Sequence, residues 1–169
     1  MKIQGYAAKS ARGLLEPFEY EAVPAENEVL VRVTHCGICH SDVHLVDGDW
    51  GDYFPLLPGH EIVGEVERGG GFSPGQRVGI GWQCGSCGSC EWCEAGKEVL
   101  CEQHQATCMG HYGGFADYVI ADSRFVFPLP AALESSVAAP LLCGGATVYT
   151  PLKKYSSPGC RVAVSWCRG

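Results

Sequence analysis

Two short stretches, Cys36-Gly-Ile-Cys39-His40-Ser41-Asp42-Val43-His44 and Pro58-Gly59-His60-Glu61, bring thiols, imidazoles, carboxylates and a hydroxyl close together in the chain. Zinc favours such a mixture of sulfur and nitrogen donors, and a catalytic zinc takes three protein ligands and keeps one position open. Cys39 and His60 fit two of those places, and a distant cysteine must supply the third. A second pattern is Cys87-x2-Cys90-x2-Cys93-x7-Cys101. Successive CxxC steps turn neighbouring thiolates toward one ion, and a fourth closes the tetrahedron at about 2.3 Å per bond. A closed four-sulfur site has no room for substrate, so its role is structural. Incidental free thiols are the weaker alternative, and Cys84, one step earlier, is a spectator.

These ligands sit in a chain of 169 residues, 46% hydrophobic and 18% charged, enough for one globular core. A net charge of -7 argues against nucleic acid, because no basic patch neutralises phosphates. No apolar run approaches the roughly 18 residues of a membrane span. Lys9, Arg12 and Gly13 interrupt the first fifteen residues, so no secretory leader is expected. Eleven cysteines cannot all pair, and a reducing, cytoplasmic setting is expected.

The elements that must position the ligands are mostly short strands. Residues 2–8, 16–23, 28–33, 61–67, 76–80, 115–120 and 124–127 read as strands from period-two alternation and β-branched content. A short helix is expected after Cys39, capped by Ser41 or Asp42. Residues 46–58 and 82–112 have loop composition. Residues 131–139 predict a helix, and Pro140-Leu141-Leu142-Cys143-Gly144-Gly145 leads into a second one through Lys154. Residues 161–164 predict a buried strand. Many short strands with Gly/Pro turns indicate a mainly β barrel or sandwich.

The order Cys39-His40-Ser41-Asp42, Gly59-His60-Glu61, Cys87/Cys90/Cys93/Cys101 and Leu141-Leu142-Cys143-Gly144-Gly145 resembles the zinc-dependent medium-chain alcohol dehydrogenases. Gly48-Asp49-Trp50-Gly51, Gly114-Phe115-Ala116-Asp117-Tyr118 and Pro140-Leu141-Leu142-Cys143-Gly144 are similar to their cinnamyl-alcohol-dehydrogenase-like branch. The resemblance implies a GroES-like, partly open β-barrel with a few short helices over residues 1–144. A stub of a Rossmann dinucleotide-binding domain would follow over 145–169. It implies a catalytic zinc held by Cys39, His60 and Cys143, with Glu61 beside it, and a structural zinc on Cys87, Cys90, Cys93 and Cys101. Asp42 would orient His60, Ser41 would take the alcohol proton, His44 would relay it to solvent, and His40 would contact the cofactor pyrophosphate. Trp50 would wall the substrate pocket. Taken singly, Ser41 fits a helix cap, His44 a surface histidine, Trp50 a packing residue, and Cys143 a buried apolar group.

The implied activity is reversible NAD(P)-dependent oxidation of primary, aromatic or allylic alcohols to aldehydes, with zinc as Lewis acid. The family's G-x-G-x-x-G turn is missing, so this chain by itself is expected not to hold NAD(P). Reading Ser165-Trp166-Cys167-Arg168-Gly169 one nucleotide later admits Val-Gly-Val-Gly-Gly, which makes a frameshifted glycine loop the expected origin of the tail. Two other classes stay open: a zinc-dependent hydrolase of esters or lactones, and an inactive zinc-binding fragment. A small-molecule substrate is expected, as is a homo-oligomer formed through apolar surface around Leu141, Leu142, Val148 and Tyr149.

Overall fold

The computed structural model describes residues 1–165. Strands β1 (Lys2–Ala8) and β2 (Leu15–Glu21) form an antiparallel hairpin. Its turn holds Arg12 at φ 59, the one positive-φ residue besides glycines among the described residues. Next comes β3 (Glu28–Gly37), four residues longer than its alternation alone indicates. Val29, Leu30 and Val31 are all buried, because β3 is an inner strand covered on both faces. One face packs Val29 and Val31 with Ile62, Val66, Val78, Ile80 and Val119; the other packs Leu30 with Ile3 and Ile120.

Helix α1 (His40–Asp47) follows directly, then β4 (Glu61–Gly69) and β5 (Arg77–Ile80). The lobe from 82 to 112 holds β6 (Gln83–Gly85), α2 (Glu91–Glu94) and β7 (Gln105–Ala106). Strands β8 (Tyr118–Asp122) and β9 (Phe127–Pro128) complete a five-stranded sheet in the order β8-β3-β4-β5-β9. Its end strands β8 and β9 do not pair, so the sheet stays open, as expected for a mainly β domain of this type.

Three local expectations need correction. Residues 124–127 are not a strand: a 3-10 turn, Ser123–Phe125, is followed by the two-residue β9. Asp122 stops the strand by accepting the Arg124 backbone N–H at 2.9 Å, a side-chain bond that competes with the ladder. Pro140 does not separate two helices. Helix α3 (Ser135–Pro140), a π-helical turn (Leu141–Gly145) and α4 (Ala146–Tyr155) run on without a break. Pro140, the sixth residue of this run, lies past the first turn, so its missing N–H removes one i→i−4 hydrogen bond, and the run passes directly into the wider π-helical turn. Finally, residues 161–165 form no strand, and Val162 and Val164 are exposed, because no other strand among the described residues lies beside them. The expected frameshifted glycine loop falls largely on Trp166–Gly169, outside the described residues.

Candidate metal centres

The first centre is assembled from three places in the chain. Strand β3 carries a register irregularity between Val33 and His35, and the Thr34 hydroxyl donates to the Val63 carbonyl at 3.1 Å. Such a bulge re-aims a strand end, and here it leads through Gly37 into Cys39. Cys39, rather than Ser41 or Asp42, caps α1. Asp42 lies in the first turn and its Oδ2 accepts the Cys39 backbone N–H at 2.9 Å. Its Oδ1 faces the Gly59 N–H at 2.9 Å and His60 Nδ1 at 3.1 Å. One buried carboxylate thus ties the cap of α1 to the Gly59-His60 turn and fixes the His60 ring. Gly59 sits at φ 100, and a Cβ there would lie 2.7 Å from the Phe115 ring, so that turn requires glycine.

Cys143 arrives on the π-helical turn, a distortion that often marks functional sites. Leu142 sets its position: a Cβ on Gly81 would lie 2.7 Å from the Leu142 carbonyl oxygen, and one on Gly79 would lie 2.8 Å from the Leu142 side chain. Small residues on and just after β5 therefore let the helical run close over the sheet. Cys39, His60, Glu61 and Cys143 then present donor atoms that all lie within 4.8 Å of one another. The Cys39 and Cys143 sulfurs are 4.0 Å apart. Glu61 pairs with Gly37 across β3 and β4, and any side chain at Gly37 would displace its carboxylate.

The electrostatics suit a cation. His60 is fully buried, and its Nε2 has no hydrogen-bond partner, although Nδ1 is engaged by Asp42. A buried, unpaired ring nitrogen is costly unless something binds there. Burial works against the Cys39 thiolate, but the Ser41 backbone N–H and hydroxyl, with His60 and Cys143, hold its pKa below the usual thiol value. Cys143 is pushed up to about 12, first by burial and then by the Cys39 charge. Burial likewise raises Glu61, with Asp42 adding to it. Without a cation Cys39, Glu61 and Cys143 cannot all hold negative charge together; a divalent ion among them removes that repulsion. The residues therefore fit zinc.

Aromatic rings surround this centre. His40, His44, Trp50 and Trp82 form a chain with successive centroids 4.8, 5.3 and 5.8 Å apart, and Trp82 meets the His60 ring edge-on at 5.0 Å. Trp82 was not legible as a site residue, since it reads only as the residue beginning a loop. Asp49, which accepts from His44 Nδ1 at 2.8 Å, was also missed. His40 is exposed at the start of α1, outside the metal cluster.

The second centre is the lobe loop. Cys87, Cys90, Cys93 and Cys101 place their sulfurs within 4.8 Å of one another. Cys90–Cys93 and Cys87–Cys101 are 3.6 Å apart, and Cys87–Cys93 is 3.9 Å. A zinc tetrahedron with 2.3 Å bonds has edges of about 3.8 Å, so the spacing fits an ion and is far too long for disulfides. All described cysteines are free. Backbone N–H groups of Ser89 and Cys90 hold Cys87 down at about 6. Cys84 stands apart in the core, its thiol facing the Gln105 carbonyl and pushed by burial to about 12.

A family model described as the alcohol dehydrogenase GroES-like domain matches residues 25–131. The chain belongs to the zinc-dependent alcohol dehydrogenase family. Within this family it is 43% identical to an aldehyde reductase from Synechocystis sp., over 96% of this chain and 50% of that protein. A cinnamyl alcohol dehydrogenase structure from Sorghum bicolor superimposes with a TM-score of 0.86 at 36% identity, over 92% of this chain and 48% of that one. A Helicobacter pylori cinnamyl alcohol dehydrogenase complexed with NADP(H) gives 0.85 at 31% identity, over 91% and 49%. The chain thus spans about half the length of the alcohol dehydrogenase relatives it matches. Nothing in these likenesses supports the hydrolase alternative.

Proposed function

We propose that this chain is the zinc-binding catalytic portion of an NAD(P)-dependent alcohol dehydrogenase that interconverts primary, aromatic or allylic alcohols and their aldehydes. The observation that carries this reading is the buried, unpartnered Nε2 of His60 among Cys39, Glu61 and Cys143. In this reading Cys39, His60 and Cys143 hold the catalytic zinc, and Cys87, Cys90, Cys93 and Cys101 hold a second, structural one. Bound at the first centre, zinc would supply Lewis acidity at the alcohol oxygen, and NAD(P), the family's cofactor, would supply the hydride acceptor.

The chain's own residues do the rest. Asp42 holds the proton on His60 Nδ1, leaving Nε2 free to donate its lone pair. Glu61, buried beside Cys143, is the carboxylate available when another ligand leaves. Ser41, whose hydroxyl bears on the Cys39 thiolate, is the first proton acceptor. His44, half-exposed and held by Asp49, passes that proton to solvent. Trp50 and Trp82 present flat apolar surface for an aromatic or allylic substrate. His40 faces outward, where the cofactor's pyrophosphate would approach. Residues 1–144 are read as the catalytic domain and 145–169 as the beginning of a cofactor domain.

The test is cobalt substitution. Two equivalents of Co(II) should bind, and cinnamaldehyde should perturb the visible bands of only one of them. Cys39→Ala should abolish that response and leave the four-thiolate charge-transfer absorption intact. A spectrum indifferent to aldehyde in the parent protein overturns the reading. These 169 residues alone, without a glycine-rich turn, should show negligible NAD(P)-dependent turnover.

A further inference from the structure

The four-cysteine centre has a cation beside it that its ligand spacing does not reveal. We propose that Arg124 is a positioning residue for this metal site: its guanidinium anchors the Cys87 loop and balances the charge of the thiolates, slowing loss of the ion. This rests on the reading that the centre holds zinc.

Arg124 lies on the 3-10 turn that follows β8, outside the lobe. Asp122 clamps it through Nε (3.1 and 3.2 Å) and Nη2 (2.6 Å), and the same carboxylate takes the Arg124 backbone N–H. So held, Nη2 also donates to the Ser86 carbonyl at 2.8 Å, across 38 residues of sequence. Ser86 immediately precedes Cys87, and its hydroxyl lies 3.5 Å from the Cys93 sulfur. The guanidinium also covers Gly88: a Cβ there would lie 2.6 Å from Nη1, and Gly88 is at φ 74. The Cys93 thiolate and Glu98 bear on the guanidinium charge, after Asp122.

Four thiolates on one divalent ion carry a net charge of minus two. A fixed cation nearby lowers the cost of keeping all four deprotonated, and its fork holds the loop that carries Cys87 and Cys90. Removing groups that orient metal ligands typically costs about 10–100-fold in metal affinity.

The experiment follows zinc and Co(II) release to a chromogenic chelator, with the thiolate-to-cobalt charge-transfer band identifying this centre. In Arg124→Gln, release should be at least about tenfold faster than in the parent. Arg124→Lys, which keeps charge but not the fork, should fall between. Asp122→Asn, which frees the guanidinium from its clamp, should also accelerate release. Added salt should speed release from the parent more than from Arg124→Gln, a difference that a purely structural role would not produce. Release within twofold of the parent in Arg124→Gln, or equal salt dependence, overturns the inference; if that variant fails to fold, Asp122→Asn decides on the same criterion. A parent protein without the charge-transfer band fails at the level of the metal site itself.

Discussion

Asp42 is the residue on which the first centre turns, because one carboxylate serves the Cys39 N–H, the Gly59 N–H and the His60 ring. Asp42→Ala should leave the Cys39 and Gly59 N–H groups unmet and free the His60 ring to rotate. Metal affinity of the first centre should fall about 10–100-fold, with the four-cysteine centre unchanged; competitive Co(II) titration measures both. His60→Ala should remove one zinc per chain and leave the other, as read by metal analysis. If both ions stay at full occupancy, Glu61 or His40 has replaced His60 as the ligand. Asp122 gives the pH dependence. Burial opposes its charge, but the Arg124 side chain and backbone N–H outweigh that and hold its pKa below the usual carboxylate value. Its stabilising contribution is therefore present above the unfolded value near 3.9 and is lost as pH falls through the lower folded value. Parent and Asp122→Asn should differ in stability near neutral pH and converge in that acidic range, as measured by denaturant unfolding.

At the scale of elements, the two centres are held by different devices. The lobe from 82 to 112 contains only β6, β7, α2 and a 3-10 turn, Glu98–Leu100. Val99 and Leu100 are exposed. On the proposed reading, metal binding substitutes for a core here, since ligand binding and folding are coupled in such sites. Cys93→Ser should lose one zinc and raise amide exchange across this lobe, while exchange in β3 and β4 stays slow. An unchanged exchange pattern with two zincs would refute this. The helical run Ser135–Tyr155 delivers Cys143 by a different device, the fit of Leu142 over Gly79 and Gly81. Gly81→Ala would place a methyl 2.7 Å from a backbone oxygen, which cannot rotate away. It should displace the π-helical turn and weaken metal binding at the first centre alone, again read by Co(II) titration.

Over the whole molecule, the second half of that helical run is left uncovered. Leu141, Val148, Tyr149, Leu152 and Tyr155 are all exposed. Leu142 does not belong to this face, because it packs against the buried cluster of Val63, Ala138 and Ala139 on the sheet side. Contiguous apolar surface drives association, so the isolated chain should self-associate as its concentration rises. Val148→Glu with Tyr149→Lys should shift sedimentation toward monomer without loss of either zinc. A clean monomer for the parent at high concentration would count against this expectation.

The ligand patterns were legible because metal chemistry constrains spacing locally. Cys87, Cys90, Cys93 and Cys101 lie within fifteen residues, and thiolates that near one another have few alternatives to a shared ion. The strands were legible for a similar reason, as alternation is a local property of the chain. Tertiary structure alone decided the rest. The resemblance over residues 140–144 points to Cys143, but its meeting with Cys39 across 104 residues depends on Gly79 and Gly81 admitting Leu142, and no local pattern announces that fit. Trp82 lies against His60, and Arg124 reaches Ser86, only after the sheet has brought β5 and β8 into place. Residues 161–164 show the converse. Their β-branched composition favours a strand, but a strand forms only where another backbone takes up its N–H and C=O groups, and none of the described residues does so.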